Sequence, residues 1–87
     1  MQTALIVFSS SVSGSRLKKL TFNANFKDVR ITQTPSSIKT AGCSYALRVN
    51  TRDLKDILAI AHRYNIHYSA VYKEDYDVSG TPVYTRI

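Results

Sequence analysis

The sequence predicts an α+β domain built in the order strand, helix, strand, strand, helix, strand. Three observations carry this. The chain opens on a compact apolar run, Ala4-Leu5-Ile6-Val7-Phe8, of the kind buried in a central strand. Two later stretches place apolar residues at helical spacing, and each closes on an asparagine followed by an apolar residue, Asn25-Phe26 and Asn65-Ile66. Between and after them lie short alternating segments typical of half-buried strands.

The first strand runs from Thr3 to Phe8. Serines and Gly14 follow, and a serine hydroxyl can cap the free N–H groups of a starting helix. Leu17, Leu20 and Ala24 then share one helical face. Thr21 and Phe22 are weaker helix formers, and Asn25 is suited to a left-handed stop. Asp28 to Thr34 alternates, with Val29, Ile31 and Gln33 on one side and Arg30 and Thr32 on the other. Pro35 ends this second strand because it has no N–H to donate. Ser36 to Ser44 is a loop. In the third strand, Tyr45 to Val49, Tyr45, Leu47 and Val49 share a face. Asn50 or Thr51 caps the second helix, and Asp53 favours the positive end of its dipole. Leu54, Ile57, Leu58, Ala61 and Tyr64 form its apolar stripe. Tyr68 to Tyr72 is the fourth strand. A tail follows, with Ser79-Gly80 as a turn signal. Residues 1–76 are expected to form the domain. Residues 77–87 are expected either to pair as an edge strand through Val83-Tyr84-Thr85 or to stay mobile, since Pro82 argues against a central position.

This order is that of a ferredoxin-like βαββαβ sandwich. Right-handed crossovers place both helices on one face of a four-stranded antiparallel sheet and leave the other face open.

At 87 residues the chain is expected to be one domain with a modest core. Its longest apolar run is far too short to span a bilayer, and the N-terminus lacks the basic and apolar regions of a secretory leader. The net charge is +6, from twelve Lys and Arg against six Asp and Glu. That balance attracts nucleic acid, acidic partners or anionic small molecules, although scattered cations also describe an ordinary solvated surface.

Cys43 is the one cysteine. It excludes a disulfide within the chain and a cysteine-based zinc site, and a free thiol suits a reducing cytoplasm. Gly42 lets the backbone turn closely beside it. Thr40 and Ser44 flank it with hydroxyls, loop N–H groups can form an anion-binding concavity, and Lys39 and Arg48 add positive charge. Together these favour the thiolate and lower the thiol pKa from its ordinary value of about 8.5. A thiolate can accept a sulfur atom by exchange-type chemistry. The plainer alternative is a small, inert, buried cysteine.

His62 and His67 lack metal-ligand spacing, and no metal site is expected. No serine stands in a nucleophile elbow. The serine-rich segment after the first strand lacks the glycine and lysine pattern of a phosphate loop, so capping is its simpler role. Tyrosines and positive charge on such a sheet also suit RNA-recognition modules, but the third strand lacks their paired aromatics. Tyr45, Tyr68 and Tyr72 equally suit sheet packing or a dimer seam on the open face.

The segments Ala4-Leu5-Ile6-Val7-Phe8-Ser9, Val29-Arg30-Ile31 with Thr34-Pro35, and Gly42-Cys43-Ser44-Tyr45-Ala46-Leu47-Arg48-Val49 resemble the small selenium/sulfur carrier-like proteins. The second helix, with Asp53, Leu54 and Ile57, and Tyr68 to Tyr72 extend the likeness. It is strongest in the Cys-x-x-Ala-Leu-Arg stretch. Two departures are the serine-rich start of the first helix and Ser44, where many members carry glycine. The resemblance implies that sulfur or selenium is held on Cys43, with Arg48 at the family's basic position. The chain is then expected to act as a stoichiometric carrier between donor and acceptor proteins rather than as an enzyme, with Lys39, Gly42, Ser44 and Arg48 stabilising the anion and no cofactor. A basic nucleic-acid-binding module, or a dimeric assembly module with a structural cysteine, is the alternative.

Overall fold

The computed structural model describes residues 2–8, 10–35, 38 and 45–87. Its elements are β1 (Thr3–Val7), α1 (Ser11–Asn23), β2 (Arg30–Gln33), β3 (Tyr45–Asn50), α2 (Thr51–Arg63), β4 (Ala70–Tyr76) and β5 (Pro82–Arg86). The strands form one antiparallel sheet in the order β2-β3-β1-β4-β5. This corrects the four strands expected from the sequence to five. Pro82–Arg86 pairs with β4 as an edge strand, with Tyr76 opposite Pro82 and Tyr72 opposite Arg86. Pro82 is tolerated because it opens an edge strand, where a missing donor costs little.

The turn between β4 and β5 is closed by one side chain. Asp77 Oδ1 accepts from the Ser79 N–H at 2.9 Å, the Ser79 hydroxyl at 2.6 Å and the Thr81 N–H at 3.0 Å. These bonds hold the Asp77 carboxyl below the ordinary aspartate range. Gly80 takes φ +84°, a backbone state that glycine enters without penalty.

Strand alternation divides the sheet into two faces. Ala4, Ile6, Leu47, Val49 and Val71 point to the helix side, where they pack with Leu17 of α1 and with Ile57 and Ala61 of α2. Both helices therefore cover the same face. The expected helical stripes need two adjustments. Ala24 is the exposed C-cap of α1, while Thr21, the weaker helix former, is fully buried and satisfies its hydroxyl on the Lys18 carbonyl at 2.8 Å. Tyr64 likewise lies at the exposed C-cap of α2 rather than in its buried stripe.

The helix ends follow the sequence closely. Ser10 caps α1 by accepting from the Val12 N–H at 3.2 Å, and Asn50 caps α2 by accepting from the Arg52 N–H at 3.1 Å. At the other end, Asn25 (φ 70°) and Asn65 (φ 55°) are left-handed. Phe26 N–H donates to the Thr21 carbonyl at 2.9 Å and Asn25 N–H to that of Phe22 at 3.0 Å. Ile66 N–H donates to the Ala61 carbonyl at 2.8 Å and Asn65 N–H to that of His62 at 3.3 Å. Each end is a Schellman motif, with an apolar residue sealing it against the core.

The fourth strand runs from Ala70 to Tyr76 rather than over Tyr68–Tyr72, because β1 pairs with it from Val7 opposite Ala70 to Thr3 opposite Glu74 and β5 carries it on to Tyr76 opposite Pro82. Glu74 lands on the face away from the helices, only 4% exposed. Thr3 donates its hydroxyl to Glu74 Oε1. Arg48 donates to Oε2 at 3.0 Å and Tyr84 to the same oxygen at 3.1 Å. One carboxylate thus ties β1, β3, β4 and β5. Burial alone would raise its pKa. The hydrogen bonds from Thr3 and Arg48, the Arg48 charge and the Tyr84 hydroxyl outweigh that and hold it below the usual glutamate range. Burial and the neighbouring carboxylate push the Tyr84 phenol upward in turn.

Two stability measurements check these readings. Asn65→Gly leaves the urea midpoint unchanged or raises it, whereas Asn65→Val lowers stability by about 1–2 kcal/mol, because a branched side chain is strained at positive φ. For Glu74, a folded-state pKa below the unfolded one means that the stabilisation is complete above the unfolded value and is lost as pH falls through the folded one. Glu74→Gln therefore costs about 1–2 kcal/mol at neutral pH, a modest figure because Arg48 is partly exposed and solvent screens the pair. The gap to wild type closes as the solution is acidified through the carboxylate range. A gap that stays constant with pH shows that Glu74 is not held ionised by this network.

Candidate functional site

Three chain segments meet at one end of the sheet. Strand β1 leaves its last residues there and turns into α1, β2 ends there, and β3 begins there. Antiparallel pairing enforces this meeting, since Val7 stands opposite Ala46 and Gln33 opposite Tyr45. Phe8 N–H continues the ladder weakly to the Tyr45 carbonyl at 3.5 Å.

A cleft of about 280 Å³ opens at this end. Its floor is Phe8, Ala46 and Leu47, one wall is the first turns of α1 with Ser11, Gly14 and Ser15, and the rim is Ile31 and Tyr45. Both rim residues are exposed. Gly14 sets the width on the helix side, because a Cβ there would stand 3.4 Å from the Phe8 ring. The Ser10 hydroxyl satisfies one amide of the first turn. The positive end of the α1 dipole faces this part of the molecule and favours negative charge nearby.

The site residues expected from the sequence divide into two groups. Lys39, Gly42, Cys43 and Ser44 lie outside the described residues. Arg48 is described, and it stands on the open face, one strand step beyond the helix-side Leu47. Its Nη2 is bound to Glu74 at 3.0 Å, so much of its charge is matched within the sheet. The buried Arg48 Nε has no hydrogen-bond partner among the described residues. Ile38, from the connection between β2 and β3, packs on the open face against Leu5, Val7 and Ala46, and its N–H donates to the Pro35 carbonyl at 3.0 Å.

Glu74 is the residue that pattern reading missed. Taken as the start of a tail, it gave no sign of burial. The only available signal was its alternation with Tyr72, which places both on one face of an extended strand.

The remaining polar groups lie elsewhere. His62 Nε2 is 3.2 Å from the Tyr68 hydroxyl, with the rings edge to face at 86°, near the end of α2. Among the described residues no cluster of histidine, cysteine and carboxylate side chains could hold a metal, and no helix is long and apolar enough to cross a membrane.

Searches of curated proteins and of solved structures find no match. A family model described as "Putative Se/S carrier protein-like" matches residues 3–73. The matched span takes in β1, both helices, β2, β3 and part of β4, together with Cys43. On that match, which covers most of its length, the chain belongs to the Se/S carrier protein-like family.

Proposed function

We propose that the protein carries sulfur or selenium on Cys43 and delivers it to an acceptor protein. The observation that carries this reading is the family match, which spans Cys43, the chain's single cysteine. The cleft supports it. Cys43 precedes the rim residue Tyr45 by two positions, and two residues of extended chain span at most about 7 Å. On this reading the thiol works at the cleft, near the α1 N-terminus. Lys39, Gly42 and Ser44 then supply charge and loop amides to the thiolate, whereas Arg48, on the open face and bound to Glu74, takes no part in it. We read β2, β3, β1 and β4 as a ferredoxin-like arrangement, with β5 added at its edge, because split βαβ units with right-handed crossovers give that strand order.

The chemistry is exchange. Cys43 thiolate attacks the outer sulfur of a donor persulfide. One S–S bond forms on Cys43, the donor S–S bond breaks, and the donor leaves as thiolate, so no external oxidant or reductant is consumed. A donor selenopersulfide transfers selenium in the same way. Delivery repeats the step, with Cys43 as the leaving thiolate. Such a thiol needs a reducing compartment, and we place the protein in the cytoplasm.

Incubation with a low-molecular-weight persulfide, followed by intact-mass measurement, adds the mass of one sulfur atom to wild type and nothing to Cys43→Ser. The iodoacetamide rate of the unloaded protein rises with a midpoint below the free-cysteine value of about 8.5, and Lys39→Gln moves that midpoint upward. A thiol that stays unloaded, or that alkylates with an ordinary cysteine profile, overturns the proposal.

A further inference from the structure

The face of the sheet away from the helices carries a row of residues in register across all five strands. Arg30 of β2 stands opposite Arg48 of β3, Arg48 opposite Leu5 of β1, Leu5 opposite Tyr72 of β4, and Tyr72 opposite Arg86 of β5. At about 4.8 Å between strands, the row spans roughly 19 Å. Tyr84 stands in the next row, opposite Glu74. Tyr72 and Tyr84, together with Ile38, pack against the Leu5, Val7 and Ala46 cluster, and both tyrosines remain half-exposed.

The charges on this face are segregated. Of the six acidic residues, Asp53 and Asp56 are on α2, Asp28 and Asp77 are in turns, and Asp75 alternates to the other side of β4. Only Glu74 holds a strand position on the open face, and it is buried and committed to Thr3, Arg48 and Tyr84. Arg30 and Arg86 are exposed and have no ion pair among the described residues. Glu74 matches much of the Arg48 charge, but Arg30 beside it and Arg86 at the far edge have no such partner among the described residues. A row with cations at both ends and no acidic residue between them other than a buried, committed one is complementary to a polyanion.

We infer that this face binds single-stranded nucleic acid. Arg30 and Arg86 hold backbone phosphates at the two edges of the sheet, and Tyr72 and Tyr84 between them offer ring surfaces on which unpaired bases stack. An acidic polypeptide would satisfy the arginines but makes no comparable use of the tyrosines. A duplex presents its bases edge-on and cannot stack on them. The inference goes beyond the carrier reading and does not rest on Cys43.

Fluorescence anisotropy with labelled single-stranded oligouridine and oligothymidine, titrated with the full chain, tests it. Binding weakens as salt rises. The Arg30→Gln/Arg86→Gln double variant binds roughly tenfold more weakly, with a log–log salt slope shallower by about 1.4, or about 0.7 for each lost phosphate contact. Tyr72→Phe keeps the ring and retains binding, whereas Tyr72→Leu loses roughly tenfold. Lys18→Gln/Lys19→Gln, on α1, leaves the affinity within twofold, a span set by the weak effect of distant exposed charges. The inference is overturned by absence of binding at low salt, by equal losses from the α1 and sheet variants, or by poly-glutamate or duplex DNA binding as tightly as the single strands.

Discussion

Strand β1 is paired along both edges and buried on both faces, and the architecture follows from that constraint. Ala4, Leu5, Ile6 and Val7 are each at most 4% exposed. A strand in this position must be apolar on both sides, which explains why the chain begins with a continuous hydrophobic run rather than an alternating one. Its registers with β3 and β4 then determine which residues meet the helices and which face away. They also bring the α1 N-terminus and the first residue of β3 to the same end of the sheet. A slip of one residue would exchange the two faces. The helix-side core and the Glu74 network would be lost together.

The open face shows how a small domain holds a buried carboxylate. Desolvation opposes the charge, and ion pairs in such places often fail to repay that cost. Glu74 is served by two hydroxyls as well as a guanidinium, so both carboxylate oxygens are occupied by donors from three other strands. The partner Arg48 keeps contact with solvent, which lowers the cost on the cationic side. The added strand β5 takes part through Tyr84, so the hairpin is fastened to the sheet by a side chain as well as by its ladder.

Much of this was legible in the sequence, and for identifiable reasons. Asn25 and Asn65 announced the helix ends because few residues other than glycine enter the left-handed region cheaply. The first strand, both N-caps and the alternation of β2 and β3 rest on local preferences of the same kind. What was not legible depends on contacts distant in the chain. Thr21 is buried only because α1 lies with that side on the sheet. The length of β4 is set by β1, some seventy residues earlier, and by β5 after it. Glu74 is buried only because Thr3, Arg48 and Tyr84 converge on it. Ala24 and Tyr64 were assigned inward by spacing, but each falls at a helix end, where the stripe has run out. For the candidate site, the sequence named the thiol and its basic neighbours. The cleft is a product of three segments meeting, which no single segment encodes.

The two proposed surfaces share strand β3 and are separated by its pleat. Tyr45, at the rim of the cleft, belongs to the helix-side set with Leu47 and Val49. Arg48 belongs to the opposite set with Ala46. The cleft proposed for the cargo therefore opens at one end of the sheet, while the arginine and tyrosine row faces a different direction. A carrier has to meet a donor and an acceptor, and both meetings are easier when the groups that hold the cargo are not the groups that hold a partner. The pleat provides that separation with a single strand. It also explains how the chain can be rich in cations without placing them in one run: residues two apart share a face, so a basic surface is assembled across strands rather than along them.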